Sequence, residues 1–151
     1  MTEQFLEGRT ALVTGSVQGI GLAIAKALGA AGARVAVHGL ADSATAEAAM
    51  DAVTAAGAPE VCFFGQDLAD EAAVDDLMTA VERWGGADVL VNNAGIQKTV
   101  SLAEADAATW NAILAVNLSA AFHTMRRALP GMAERGYGRV VNIASVHGLV
   151  A

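Results

Sequence analysis

The chain has 151 residues, of which 54% are apolar and 17% charged, and its formal net charge is −7. The length suits one domain, and the apolar content points to a packed core in place of disorder. The negative balance argues against nucleic acid and anionic membrane as partners, because both need clustered cations.

The single cysteine, Cys62, excludes an internal disulfide and a cysteine-rich metal site. Its place in Val61-Cys62-Phe63-Phe64 makes it a core residue. Arg126-Arg127 reads as a solvated helix face. Met1 to Gly8 carries two glutamates and no apolar leader, and no run approaches the ~18 apolar residues of a membrane span. The expectation is a soluble, cytoplasmic protein.

In chain order, short apolar runs at Thr10–Val13, Arg34–Val37, Val61–Phe64, Ala87–Val91 and Arg139–Ile143 read as strands covered on both faces. Alanine-rich stretches between them carry apolar residues at helical spacing. Ile20, Ala23, Ile24, Ala27 and Leu28 form one expected stripe; Val74, Leu77, Met78 and Val81 form a second. Trp110, Ile113, Leu114, Asn117 and Leu118 form a third, on one long helix reaching about Met132. Gly32, Gly57 and Gly85-Gly86 follow helices, where a left-handed residue closes the last turn. Alternating strand and helix imply an α/β fold, a Rossmann-type doubly wound parallel sheet with helices on both faces. Residues 1–151 form one such domain, with no linker or repeat. The irregular stretch from Ile96 to about Asp106 follows the fourth strand, where an open parallel sheet places its ligand.

Thr14-Gly15-Ser16-Val17-Gln18-Gly19-Ile20-Gly21 joins the first strand to the first helix. Gly15 permits a sharp turn, Gly19 a close approach of backbone to a pyrophosphate, and Gly21 a close approach of helix to sheet. Helix N-terminal amides then face the anion. The spacing Thr-Gly-x-x-x-Gly-x-Gly resembles the signature of the short-chain dehydrogenase/reductase family. The resemblance continues through Asp67-Leu68 after the third strand, Asn92-Asn93-Ala94-Gly95 after the fourth, Asn117 in the long helix and Ile143-Ala144-Ser145 after the fifth.

That resemblance implies a nicotinamide dinucleotide bound by Gly15, Ser16, Gln18, Gly19, Ile20, Gly21, Gly39, Leu40, Asp67, Leu68, Asn93, Ala94 and Gly95. Asp67 would meet the adenine amino group, or else cap the following helix. Asn92 would brace the sheet. Asn117 would hold a water that feeds a proton relay, or be a satisfied core amide. Ser145 would hydrogen-bond the substrate oxygen, or cap the next turn.

Between Val35 and Glu82 there is no Lys or Arg. A 2′-phosphate needs a cation, and the corner Val37-His38-Gly39-Leu40-Ala41-Asp42 offers only His38, usually neutral. NAD is therefore expected over NADP. The acidic residue that typically grips the ribose diol is also missing, unless Asp42 swings in.

The family's general acid/base is a tyrosine some dozen residues beyond the serine, with a lysine one turn later that lowers its pKa. The sequence reaches Ala151 before either position. Its one tyrosine, Tyr137, sits in Gly136-Tyr137-Gly138, with Val141 where the lysine would have to be, and is no surrogate. Val140–Val146 also reads as an interior strand with nothing to cover it. The expectation is an N-terminal portion of a longer subunit.

Ile96-Gln97 and Ser145-Val146-His147-Gly148-Leu149-Val150-Ala151 further resemble the D-3-hydroxybutyrate dehydrogenase branch of the family, which makes acetoacetate with NAD. Gln97 and His147 would then bind the substrate carboxylate, or be ordinary loop residues, with Ser145 on the hydroxyl. The rival readings are another short-chain reductase, acting on an acyl thioester, sugar or other secondary alcohol, and a non-catalytic nucleotide-binding module. The resemblance also implies a homotetramer, assembled in part through the long helix.

Overall fold

The computed structural model describes residues 4–146. Five parallel strands form one sheet in the order β3-β2-β1-β4-β5. They are β1 (Thr10–Val13), β2 (Arg34–His38), β3 (Val61–Phe64), β4 (Val89–Asn92) and β5 (Arg139–Asn142). The helices are α1 (Gly19–Ala30), α2 (Ser43–Ala55), α3 (Glu71–Trp84), α4 (Ala107–Leu114) and α5 (Ala120–Glu134), with a π-helical turn at Ala115–Ser119 joining the last two. This is the expected doubly wound architecture.

Strand pleating sorts the core into two layers. Ala11, Val13, Val35, Val37, Val89 and Val91 face a layer shared with residues of α1 and α2. Leu12, Ala36 and Leu90 face the other, with Val74, Leu77, Met78 and Val81 of α3 and Ala120, Ala128 and Met132 of α5. The α3 stripe is buried as expected. Gly32, Gly57 and Gly85 close their helices at positive φ, also as expected. Cys62 packs, half-buried, against the second layer.

The α1 stripe needs correction. Ile20 is 68% exposed, and Ala23 and Ala27 are exposed; the residues buried are Gly21, Ala25 and Gly29. A Cβ on Gly29 would lie 2.8 Å from Cβ of Ala58. Ile24 and Leu28 of the expected stripe are half-buried and pack against the first core layer. The centre of the buried face is set by close approach to neighbours and so selects small residues, which apolar periodicity does not mark.

The third stripe is corrected too. Trp110, Leu114 and Leu118 are exposed, while α5 buries Ala120, Thr124, Ala128 and Met132. The long helix is also interrupted, since the π-helical turn holds Asn117 and shifts the register between its halves.

β5 is corrected in length and burial. It ends at Asn142, and in place of an interior run its residues are mostly exposed among the described residues. Arg126 and Arg127, expected to be merely solvated, pair with Glu71, Asp75 and Glu82 and so tie α5 to α3.

Order in the sheet decides where a ligand can sit. The chain leaves β1 toward β2 and β3, then returns to place β4 on the other side of β1. The C-terminal ends of β1 and β4 flank that reversal, where connections diverge and leave a crevice.

Candidate functional site

A cleft of about 530 Å³ opens at this reversal. Gly15, Val17 and Gln18 line it from the first loop, His38, Gly39 and Leu40 from the end of β2, and Gln66 to Ala69 from the end of β3. Asn93 to Ile96 line it from the end of β4, and Ala112 and Val116 from the long helix.

The first loop is held open by its glycines. Gly15 adopts φ +63°, and a Cβ there would sit 2.9 Å from Cα of Ala94. Gly19, at φ +57°, has open space where a side chain would be, so its backbone is bare to an incoming group. Gly21 lies against Gly15: an added Cβ would strike the Gly15 carbonyl oxygen. The N-cap residue of α1, Gln18, makes no side-chain capping bond, which leaves the first amides of that helix available to an anion.

Asn93 fastens β4 to this loop. Its amide nitrogen donates to the carbonyl oxygens of Thr14 and Gly15, both at 3.0 Å, while its own backbone N–H donates to Thr14 Oγ1 at 3.0 Å. The Ala94 amide donates to the same hydroxyl at 3.1 Å. Ser16, fully buried, spends its polar groups on the fold. Its hydroxyl donates to Val13 O at 2.7 Å and accepts from His38 N at 3.0 Å, and its amide donates to His38 O at 2.7 Å. The hydroxyl thus points away from the cleft.

Asp42 is committed elsewhere. Its carboxylate caps α2, accepting from Thr45 N at 2.8 Å, and the Thr45 hydrogen bonds hold its pKa below the usual carboxylate value. Leu40, 68% exposed, offers an apolar surface beside the cleft. Asp67 uses one carboxylate oxygen on Ala69 N at 2.9 Å; the cap of α3 is Asp70. Asn92, the expected brace, donates to Asn142 Oδ1 at 2.8 Å and accepts from Thr124 Oγ1 at 2.7 Å, joining β4, β5 and α5.

Asn117 closes the far side. Ile96 N donates to its Oδ1 at 2.8 Å, and its Nδ2 donates to Ile96 O at 2.9 Å. The exposed amide keeps one lone pair and one hydrogen for another partner. Gln97 is exposed and, among the described residues, reaches Thr99 Oγ1 at 3.5 Å. Ser145 follows β5 at the C-terminal end of the sheet, and His147 lies outside the described residues. Tyr137 is at the opposite end of the strands, beneath the guanidinium of Arg9 at 3.8 Å, so it cannot serve this cleft. Val17 of the loop motif and Ile96 of the stretch after the fourth strand also line the cleft, and Gln66, Ala69, Ala112 and Val116 do so without having been expected. Neighbourhood to Asp67-Leu68 would have found Gln66 and Ala69, but no sequence signal marks Ala112 or Val116.

Comparison with known proteins agrees with this geometry. Residues 9–151 match the family model described as short chain dehydrogenase. The chain belongs to that family. It is 49% identical over 147 residues to a D-beta-hydroxybutyrate dehydrogenase of Cupriavidus necator, covering 97% of this chain and 56% of that protein. A D-beta-hydroxybutyrate dehydrogenase of Rhizobium meliloti is 43% identical, with 95% and 56% covered. Among solved structures, a 3-oxoacyl-(acyl-carrier-protein) reductase from Agrobacterium tumefaciens with NADP bound superposes with a TM-score of 0.90 at 39% identity, covering 98% of this chain and 57% of that one. The chain thus spans a little over half the length of these relatives.

Proposed function

We propose that this chain supplies the dinucleotide-binding domain of an NAD-dependent short-chain dehydrogenase that oxidises D-3-hydroxybutyrate to acetoacetate. The observation that carries the reading is the bare, positive-φ glycine loop facing an uncapped helix N-terminus in the crevice between β1 and β4. The donor set fits a dinucleotide. Gly15, Gln18, Gly19, Ile20 and Gly21 hold the pyrophosphate, Gly39 and Leu40 flank the adenosine ribose, and Asp67 and Leu68 meet the adenine. Asn93, Ala94 and Gly95 line the nicotinamide half. Ser16 contributes by locking the loop.

NAD is favoured over NADP because neither Lys nor Arg lies between Val35 and Glu82; the carboxylate of Asp42 caps α2 through Thr45 N. The reductase with NADP bound shows that the same fold accommodates the other cofactor in a relative, so charge at this corner is the deciding feature.

The dinucleotide supplies the hydride acceptor. Ser145 orients the substrate hydroxyl, Gln97 and His147 bind the carboxylate, and Asn117, fixed by Ile96, ties a proton relay to solvent through its remaining lone pair and hydrogen. Proton transfer itself falls to the tyrosine and lysine that the family places further along. The exposed side chains of Trp110, Leu114, Leu118 and Phe122 suit a subunit contact, consistent with a homotetramer of a cytoplasmic enzyme. Among the described residues, no helix is long and apolar enough to cross a membrane.

The substrate is tested by Gln97→Ala and His147→Ala in the active enzyme. Each raises KM for hydroxybutyrate at least about tenfold with a smaller effect on kcat, as loss of a charge-assisted hydrogen bond requires. Unchanged KM in both variants removes the substrate assignment.

A further inference from the structure

His38 ends β2 and is 2% exposed, yet both ring nitrogens are spoken for. The Gly15 amide donates to Nδ1 at 3.3 Å, and Nε2 lies 2.9 Å from the Gln66 carbonyl oxygen. An amide N–H can only donate and a carbonyl oxygen can only accept. The pair of contacts therefore fixes one form of the ring: neutral, unprotonated at Nδ1 and carrying its hydrogen on Nε2.

These two partners stand on different walls of the cleft, one in the glycine loop and the other beside Asp67. Gly15 is gripped at both ends of its backbone, its N–H by His38 and its carbonyl by Asn93. The side of Gly15 that a Cβ would occupy faces Ala94, with room for no side chain. A proton on Nδ1 would set two donors facing each other there, and the loop would have to move.

We infer that His38 is a positioning residue that holds the glycine loop in its anion-binding shape only as the neutral Nε2–H imidazole, so that dinucleotide uptake is lost on acidification. This rests on the dinucleotide reading above. Burial lowers the pKa of His38 from its ordinary value, outweighing the Gln66 hydrogen bond and the carboxylate of Asp67, which favour the charged ring. Asp67 is the charged group acting on the ring. The neutral form therefore dominates at pH 7 and gives way as pH falls through the lowered value.

The test is a titration of the intact protein with NAD between pH 7.5 and 4.5, with imidazole ¹⁵N shifts read in parallel. The expected result is a wild-type Kd that rises tenfold or more across the range and an Nε2–H tautomer at pH 7.5. His38→Asn, whose side-chain oxygen can accept from Gly15 N but cannot titrate, should bind a few-fold more weakly at pH 7.5 and lose most of that slope. His38→Leu should bind more than tenfold more weakly throughout. An Nδ1–H or doubly protonated ring at pH 7.5, a flat wild-type profile, or an equal slope in His38→Asn would overturn the inference. If NAD fails to bind at any pH, the dinucleotide reading fails, while the tautomer still decides what His38 does to the loop.

Discussion

Asn93 Nδ2 donates to the carbonyl oxygen of Gly15 at 3.0 Å, so a side chain from the end of β4 fixes the turn that follows β1. The sheet reversal and the glycine loop are thereby one rigid unit. The bond is part-buried, and the same nitrogen also serves Thr14 O. Asn93→Ala leaves two carbonyl oxygens without this donor and should cost about 1–3 kcal/mol of stability. Urea unfolding measures that loss, and calorimetry should show dinucleotide affinity falling at least about tenfold, because the loop is no longer preorganised.

Gly21→Ala tests the close approach. The new methyl would collide with the Gly15 carbonyl oxygen and lie 2.5 Å from Asn93 Nδ2. Neither is the end of a flexible side chain free to swing away. Overpacking of this kind costs about 1–3 kcal/mol, and dinucleotide binding should weaken more than the midpoint of unfolding does. A variant with wild-type affinity would show that the loop is more pliable than its contacts require.

Charge at the end of β2 decides between the two dinucleotides. Leu40 is exposed at the rim of the cleft, so Leu40→Arg adds a cation without disturbing the core. It should raise NADP affinity about tenfold, the worth of one charge-assisted contact to a phosphate, and leave NAD affinity within about threefold. Competition titrations with both dinucleotides read this directly.

Cys62 should be inert. Burial, with Glu60 nearby, pushes its thiol up to about 12, and only the thiolate is nucleophilic. At pH 8 the reactive fraction is on the order of one in ten thousand, from the four-unit gap. Iodoacetamide should modify the folded protein at least about a hundredfold more slowly than the protein in denaturant, as followed by mass spectrometry.

Much of this architecture can be read from the chain. The runs at Thr10–Val13 and Val61–Phe64 match their strands residue for residue. β1 is buried throughout, as a central strand of a parallel sheet should be, whereas β3, at the sheet edge, is only half-buried and not covered on both faces as expected. The motif residues Gly15, Asn93 and Asp67 meet at one cleft, since each lies at a strand's C-terminal end. What escapes the sequence is set by packing. α1 centres its buried face on Gly21, Ala25 and Gly29, with Ile24 and Leu28 of the apolar stripe half-buried against the core and Ile20 left exposed, because close approach outweighs side-chain hydrophobicity there. The π-helical turn around Asn117 leaves no periodic trace. Ser16 resembles a ligand contact but is a buried tether, and His38, which looks like an idle neutral histidine, bridges two walls of the cleft. Hydrogen bonds between distant strands decide both cases, and local sequence carries no record of them.

The central claim is that the turn from Gly15 to Gly21 cradles a nicotinamide dinucleotide. Calorimetric titration of the folded protein at pH 7.5 tests it most directly. NAD should bind at one site per chain, at least about tenfold more tightly than NADP, as the missing cation requires, and Gly19→Val should abolish the heat. Absence of binding by either dinucleotide, or wild-type binding by Gly19→Val, would contradict the account.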